Sequence, residues 1–282
     1  MVEPDFQKKY VSHIANPYNF DATYVTIPPS PLLRPYIRCF WGSTMSFNPH
    51  VVPFYNNTLI IPDTCFDLIL LKNHDSGKIR LLFVGLNDRY TFDKWQKNEQ
   101  DIEIFGLRFN FWALNFLTDY PMANTLNKII APAAIFPAID ELAERLFSVP
   151  SFGGRMALAE KYLMELIDNG KSKTHFLQCV EYMITNQGVG SLADLASYVC
   201  YSKRQLQRIF FNTLGISPKH MMNLIRYQSI WQEILQAGEV DSLSLVAKYN
   251  YADQSHFIAD FKKYHSLKPQ DALLAIRKNS GK

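Results

Sequence analysis

Between residues 36 and 110 the apolar residues come in short runs separated by turn formers. The runs are Tyr36–Trp41, Thr58–Ile61, Phe66–Leu71, Ile79–Val84 and Ile102–Phe109, and Asn56-Asn57, Pro62-Asp63, Asp75-Ser76-Gly77 and Asn87-Asp88 fall between them. Runs of this length and punctuation predict strands, with His74 to Gly77 as a hairpin tip. Their spacing of roughly ten residues predicts a β-sandwich or small barrel. Residues 1–35 are rich in proline and polar residues and read as an irregular lead-in. After Phe111 the period changes to that of a helix. Trp112–Tyr120 is an expected helix stopped by Pro121, and Ile139–Phe147 and Arg155–Ile167 are expected to follow. The polar break at Asp168–Lys173 places a domain boundary, giving residues 1–170 and 171–282. From Thr174 onward only helices are expected.

The helical part contains two similar segments about fifty residues apart, one from Ser191 to Ile216 and one from Ser242 to Leu267. In the first, Ser191 with Asp194 and Ser202 with Gln205 have the spacing of capping boxes. Leu206, Ile209, Phe210 and Thr213 follow at i, i+3, i+4 and i+7, the stripe of a helix packed on a core. Gly215 is placed to end that helix. Lys203, Arg204, Gln207, Arg208 and Asn212 then fall outward. The second segment repeats the layout. Leu243, Leu245, Val246 and Ala247 supply a support helix, Asn250 to Ala252 a turn and Asp253 a cap, while Phe257, Phe261 and Tyr264 face inward. Gln254, Ser255 and His256 occupy the first turn, and Lys262 and Lys263 follow. Ser217-Pro218 starts a helix between the two units. Its stripe of Met221, Leu224, Ile225, Tyr227, Trp231, Ile234 and Leu235 can bind both. Two helix-turn-helix units on one rigid helix can enter two neighbouring segments of a duplex groove, about 34 Å apart. Arginine pairs bidentately with guanine and glutamine with adenine, so Arg204, Gln207 and Arg208 are candidate base readers.

Composition supports a folded chain. Of 282 residues 48% are hydrophobic and 14% aromatic. The net charge of +3 conceals a division: residues 1–170 carry 15 Lys/Arg against 18 Asp/Glu, and residues 171–282 carry 14 against 8. A basic C-terminal part suits a polyanion. Cys39, Cys65, Cys179 and Cys200 form no CxxC pair, so no zinc knuckle or redox motif is expected. The polar, charged start and the lack of a membrane-length apolar run suit a cytoplasmic protein with reduced thiols.

The stretches SLADLASYVCYSKRQLQRIFFNTLGISP and SLVAKYNYADQSHFIADFKKYHSLKP together resemble the DNA-binding domain of the AraC-type (AraC/XylS) transcriptional regulators, over residues 174–278. The resemblance implies an all-α domain of two helix-turn-helix units joined by a linker helix. It implies base reading by Arg204, Gln207 and Arg208 in the first unit, and by Gln254, Ser255 and the position of Ala259 in the second. Lys203, Asn212, His256, Lys262, Lys263 and Lys268 are the expected backbone contacts. The chain departs from the family at Ala259, often arginine, at Asn250 and Ser266, usually glycines, and at Met221, usually tyrosine. Without the arginine, and with Asp260 beside it, the second unit is expected to add affinity more than specificity.

Residues 20–137 resemble, more loosely, the cupin-like β-rich domain of some regulators in that family, through LLRPYIRCFWGS, IPDTCFDLILLK, FVGLNDRYTF and IFGLRFNFWALNFL. The fold class expected is therefore α+β in two domains, a β-sandwich or barrel with flanking helices followed by an all-α domain. Such front domains bind effectors or dimerise. Trp41, Phe66, Trp95, Phe109 and Trp112 are candidate pocket walls, and Asp63, Asp67 and Arg108 candidate polar anchors. Asp63 also reads as a turn cap after Pro62. Only His13, His50 and His74 precede residue 170, so no metal or other cofactor is expected. The expected partners are double-stranded DNA, a small-molecule effector or a second copy of the chain acting through the front domain, and RNA polymerase if the chain activates. Two rivals remain: an effector-independent DNA binder with a structural front domain, and a cupin-like enzyme with a helical accessory domain.

Overall fold

The computed structural model describes residues 6–12, 23–50, 59–92, 99–167 and 174–280. A short helix α1 (Phe6–Lys9) precedes eight strands: β1 (Tyr24–Ile27), β2 (Ile37–Ser43), β3 (Leu59–Ile60), β4 (Cys65–Asn73), β5 (Ile79–Val84), β6 (Thr91–Phe92), β7 (Ile102–Asn110) and β8 (Ile129–Ile130). Six of them form one antiparallel sheet in the order β1-β2-β7-β4-β5-β8, and β3 pairs with β6. The expected strands stand where the apolar runs place them. β1 and β8 at the edges and the two-residue β6 are additions, as β1 and α1 are to the lead-in. Asn73 closes the β4–β5 hairpin by accepting from Ser76 N at 2.8 Å and Ser76 Oγ at 2.9 Å.

Both faces of the sheet are covered, which is why β7 is buried along its whole length. Phe66, Leu68 and Leu70 on β4 oppose Phe109, Leu107 and Phe105 on β7 and share one face. On that face lie α3 (Ile139–Ser148) and α4 (Phe152–Leu166), with Phe152 of α4 5.1 Å from Phe105. Arg155 of α4 is buried against Glu103 of β7. The opposite face carries a smaller apolar cluster of Phe47, Leu71, Ile102 and Ile104, with Trp41, Ile69 and Tyr24 packed on it. Gly106 makes room there: a Cβ at this position would sit 2.3 Å from the Trp41 ring.

The helix expected over 112–120 is only α2 (Leu114–Leu117). Thr118 is extended, its hydroxyl bonds Ile135 O at 3.0 Å and takes Tyr120 N at 3.0 Å, so the chain turns away before Pro121 can act. A 3-10 turn at Pro132–Ala134 leads into α3.

Seven helices follow: α5 (Thr174–Thr185), α6 (Leu192–Tyr198), α7 (Lys203–Leu214), α8 (Pro218–Ala237), α9 (Ser242–Lys248), α10 (Gln254–His265) and α11 (Pro269–Ser280). The proposed boundary at 168–173 lies outside the described residues. The apolar core is continuous from the sheet into the helices. Among the described residues no helix is long and apolar enough to cross a membrane.

Gly106→Ala is expected to displace Trp41 and lower stability by about 1–3 kcal/mol, the usual cost of overpacking a tight site. Chemical denaturation measures it, and an unchanged midpoint would contradict the close approach.

Candidate nucleic-acid interface

The first helix-turn-helix unit is built by caps and a core stripe. Ser191 and Asp194 exchange hydrogen bonds at the start of α6, with Ser191 N to Asp194 Oδ2 at 2.9 Å and Asp194 N to Ser191 Oγ at 3.1 Å. The Ser191 hydroxyl also donates to Asp194 Oδ2 at 2.7 Å, and this bond, with that from Ser191 N, favours the charged form and holds the Asp194 carboxyl below its ordinary range. Cys200 takes a left-handed backbone (φ 56°), which turns the chain into α7. Ser202 and Gln205 form the second capping box, at 3.2 Å and 3.0 Å. Leu206, Phe210 and Leu214 are fully buried and seat α7 on the domain. Gly215 (φ 77°) ends it. Lys203, Arg204, Gln207 and Arg208 are exposed on its first two turns. Among the described residues none of these four has a hydrogen-bond or ion-pair partner. A helix N-terminus carries partial positive charge, so backbone and side chains present the same sign to an anion.

The second unit repeats this with other residues. Its support helix α9 is capped by Asp241, whose Oδ1 takes Leu243 N and Ser244 N, both at 3.1 Å. Leu245 is the buried member of that helix, and Leu243, expected as support, is 70% exposed because it faces away from the core. Asn250 (φ 55°) adopts the same left-handed turn as Cys200, so the family's glycine is not needed. Ser266 (φ 63°) likewise takes the C-cap of α10. Asp253 caps α10 through His256 N at 2.8 Å. Phe257, Phe261, Tyr264 and His265 are buried, while Gln254, Ser255, His256, Ala259, Lys262 and Lys263 are exposed and Lys268 lies just beyond. Lys263 rests over the Tyr264 ring at 5.0 Å.

Asp260 stands elsewhere than the sequence suggests, and Asn212, though exposed, adds a main-chain contact to the front domain. Asp260, read as part of a weakened outer face, turns inward: its Oδ2 takes Arg226 Nη2 at 2.9 Å and the Tyr251 hydroxyl at 2.7 Å. The acidic group is therefore neutralised inside the domain. Asn212, expected on phosphate, lies where α7 meets the front domain. Its carbonyl accepts Met122 N at 2.7 Å. With Thr213 it faces Leu114, Thr118, Tyr120 and Met122 across a cleft of about 270 Å³. The linker helix touches the front domain as well, through Gln228 Nε2 on Pro62 O. These contacts between distant parts of the chain leave no mark in local spacing.

Of the candidate ligand residues, Trp41, Asp67 and Arg108 come together on the second face of the sheet. Arg108 holds Asp67 bidentately, Nε to Oδ1 at 2.9 Å and Nη2 to Oδ2 at 3.0 Å. Trp41 Nε1 donates to the same Oδ1 at 2.9 Å. Phe66 does not join them. It points to the opposite face and stacks on Phe83 at 5.7 Å, because neighbouring residues of a strand alternate sides. Phe109 shares that opposite face, Trp112 bonds Pro35 O at 2.7 Å, and Trp95 lies outside the described residues. Asp63 caps its turn through Cys65 N at 3.1 Å, as expected. It also places Oδ2 3.3 Å from Arg108 Nε, so two carboxylates share one guanidinium. Burial pushes the Asp63 carboxyl up to about 6, with Asp67 raising it further and Arg108 opposing.

The folded chain holds the Asp63 proton more tightly than the unfolded chain does. Stability from this group is fully present near the ordinary carboxylate value of about 4. It is lost as pH rises through about 6. Asp63→Asn is therefore expected to gain thermal midpoint relative to the native chain between acid and neutral pH. A constant offset across that window would contradict the burial.

The described geometry agrees with family comparisons. Residues 195–274 match the model of a helix-turn-helix domain, and residues 25–131 match that of a domain of unknown function, DUF6597. No curated protein matches the chain. Its structure is loosely similar to ToxT from Vibrio cholerae. One ToxT structure at 1.65 Å resolution is 11% identical with a TM-score of 0.40, covering 82% of this chain and 93% of that one. Another is 10% identical with a TM-score of 0.39, covering 91% and 99%. A third, described as unsaturated fatty acid bound, is 8% identical with a TM-score of 0.37, covering 91% and 97%. The chain thus carries a helix-turn-helix domain over residues 195–274, behind a β-rich domain that matches a domain of unknown function over residues 25–131.

Proposed function

We propose that the chain is a sequence-specific DNA-binding transcription regulator that inserts α7 and α10 into adjacent major-groove segments of one duplex. The observation that carries this reading is the unpaired set Lys203, Arg204, Gln207 and Arg208 on a doubly capped helix whose other side is fully buried. Side chains held this way reach base edges without first breaking internal bonds. In this reading Arg204, Gln207 and Arg208 supply most of the specificity. Gln254 and Ser255 add weaker reading, and His256, Lys262, Lys263 and Lys268 bind phosphates.

The front domain acts on the reader through the seam at Met122–Asn212 and Pro62–Gln228, with a small effector or self-association biasing one of two arrangements. A structural role for its polar centre has one observation in its favour. Arg108, Asp67 and Trp41 satisfy one another, so a ligand would have to break bidentate pairing before using them.

Footprinting of the full chain on its own upstream region is expected to protect two segments one helical turn apart. Arg208→Ala should weaken specific binding by about 1–3 kcal/mol and relax the preference at one base position. Lys262→Ala should weaken binding on every sequence and reduce the salt slope by about 1. Protection confined to one turn, or an Arg208→Ala protein with native specificity, would contradict the assignment.

A further inference from the structure

The second reader is attached to the linker helix by two different kinds of contact. One is an apolar stripe. Phe261 packs on Tyr227 and Trp231 at 5.5 and 5.7 Å, Tyr264 on Tyr227 at 4.9 Å, and His265 on Trp231 at 4.5 Å. The ring contacts are non-directional, and the stripe also carries a buried directional bond, with the Tyr227 hydroxyl 2.6 Å from His265 Nδ1, four positions from Phe261 on the same face of α10. The other is the polar node of Arg226, Asp260 and Tyr251. Asp260 is one position from Phe261, roughly 100° round the helix. Its bonds to Arg226 and to the Tyr251 hydroxyl therefore act to one side of the apolar stripe and resist rolling. The guanidinium also lies 4.1 Å from the centre of the Tyr251 ring, and that ring meets His256, in the first turn of α10, edge-on at 5.2 Å.

Arg226 is itself held from the other side. Gly188, in the turn leading into the first unit, has φ 73°, and a Cβ there would fall 2.1 Å from Met222 O and 2.5 Å from Arg226 N. Backbone therefore lies directly on backbone where the first unit meets α8. A fixed path runs from the first unit through Arg226 to Asp260 and the first turn of the second reader. The Arg226 and Asp260 side chains are only 13% and 17% exposed, so water does little to loosen the pair.

We propose that Arg226, Asp260 and Tyr251 are positioning residues that set the rotation of α10 about its own axis, and so keep the second reader in register with the first. The proposal rests on the DNA-binding reading above and adds that the register is polar in origin. A roll of α10 by one residue would carry Ser255 and Ala259 off the outer face and bring other side chains there. The first unit meets only the Arg226 backbone, which the side-chain changes at Asp260 and Tyr251 leave in place, so α7 would be unaffected.

The test compares the full native chain with Asp260→Asn and Tyr251→Phe, the second removing only a hydroxyl. Each is footprinted on DNA carrying both protected segments and on DNA in which the α10 segment is scrambled. Thermal unfolding establishes that each variant is folded at the assay temperature. The expected result is retained protection of the α7 segment, loss of the α10 segment, and a fall of about tenfold in the preference for two-segment DNA, the scale of one lost hydrogen bond to a charged group. Folded variants that protect both segments with native affinity would overturn the proposal, as would folded variants that lose both equally. If Asp260→Asn does not fold, Tyr251→Phe decides alone by the same criteria. A native chain that protects neither segment would remove the DNA-binding reading as well, whereas native two-segment protection shared by a folded Tyr251→Phe would remove only the register proposal.

Discussion

The burial of α8 is the constraint on which the helical half depends. Met221, Met222, Leu224, Ile225, Tyr227, Ile230, Trp231 and Ile234 leave it apolar around most of its circumference. A helix of that kind is stable only when enclosed. Each fully buried large side chain contributes about 1.5–3 kcal/mol as an upper estimate. Neither helix-turn-helix unit can close a core without it, because each short support helix offers few apolar residues. The shared helix therefore serves both as core and as spacer, and the separation of the two units follows from packing rather than from either unit.

Polar contacts add direction to that packing. Capping boxes fix where α6 and α7 begin, and left-handed residues at Cys200 and Asn250 fix the turn in each unit. The Arg226–Asp260 pair fixes a rotation. In the front domain the same division holds. Two apolar faces hold the sheet between helices and a second cluster, while Arg108 with Asp63 and Asp67 sits buried at one point on the second face. Buried ion clusters seldom add net stability, since desolvation offsets much of the attraction. Their geometry is strict, and here it lies close to Pro62, where the linker helix touches the front domain. The two halves thus meet at a polar turn and at the end of α7.

Much of this was legible in local sequence. The five apolar runs became β2, β3, β4, β5 and β7, and β7 shows why most plainly, since a strand buried on both faces is a continuous apolar run. The caps at Ser191, Ser202, Ser217 and Asp253 were readable because a cap bonds to residues two or three positions away. β1, β6 and β8 were not, since short edge strands are defined by a partner and carry little pattern of their own. The long helix expected after Phe111 was cut by Thr118, whose hydroxyl found a carbonyl seventeen residues away.

For the candidate interface, the exposed basic set on α7 followed from spacing alone, because the faces of a helix are set by its period. The inward turn of Asp260 did not, since its partner Arg226 lies thirty-four residues earlier and only the crossing of two helices brings them together. The same holds for Asn212 and Met122, and for Asp63 beside Arg108. Sequence by itself determined the elements, their ends and which side chains of each helix could face outward, because these depend on neighbours along the chain. Tertiary structure alone decided which charges are neutralised, which side of the sheet each aromatic ring serves and where the halves touch, because those energies depend on distances that no local pattern encodes.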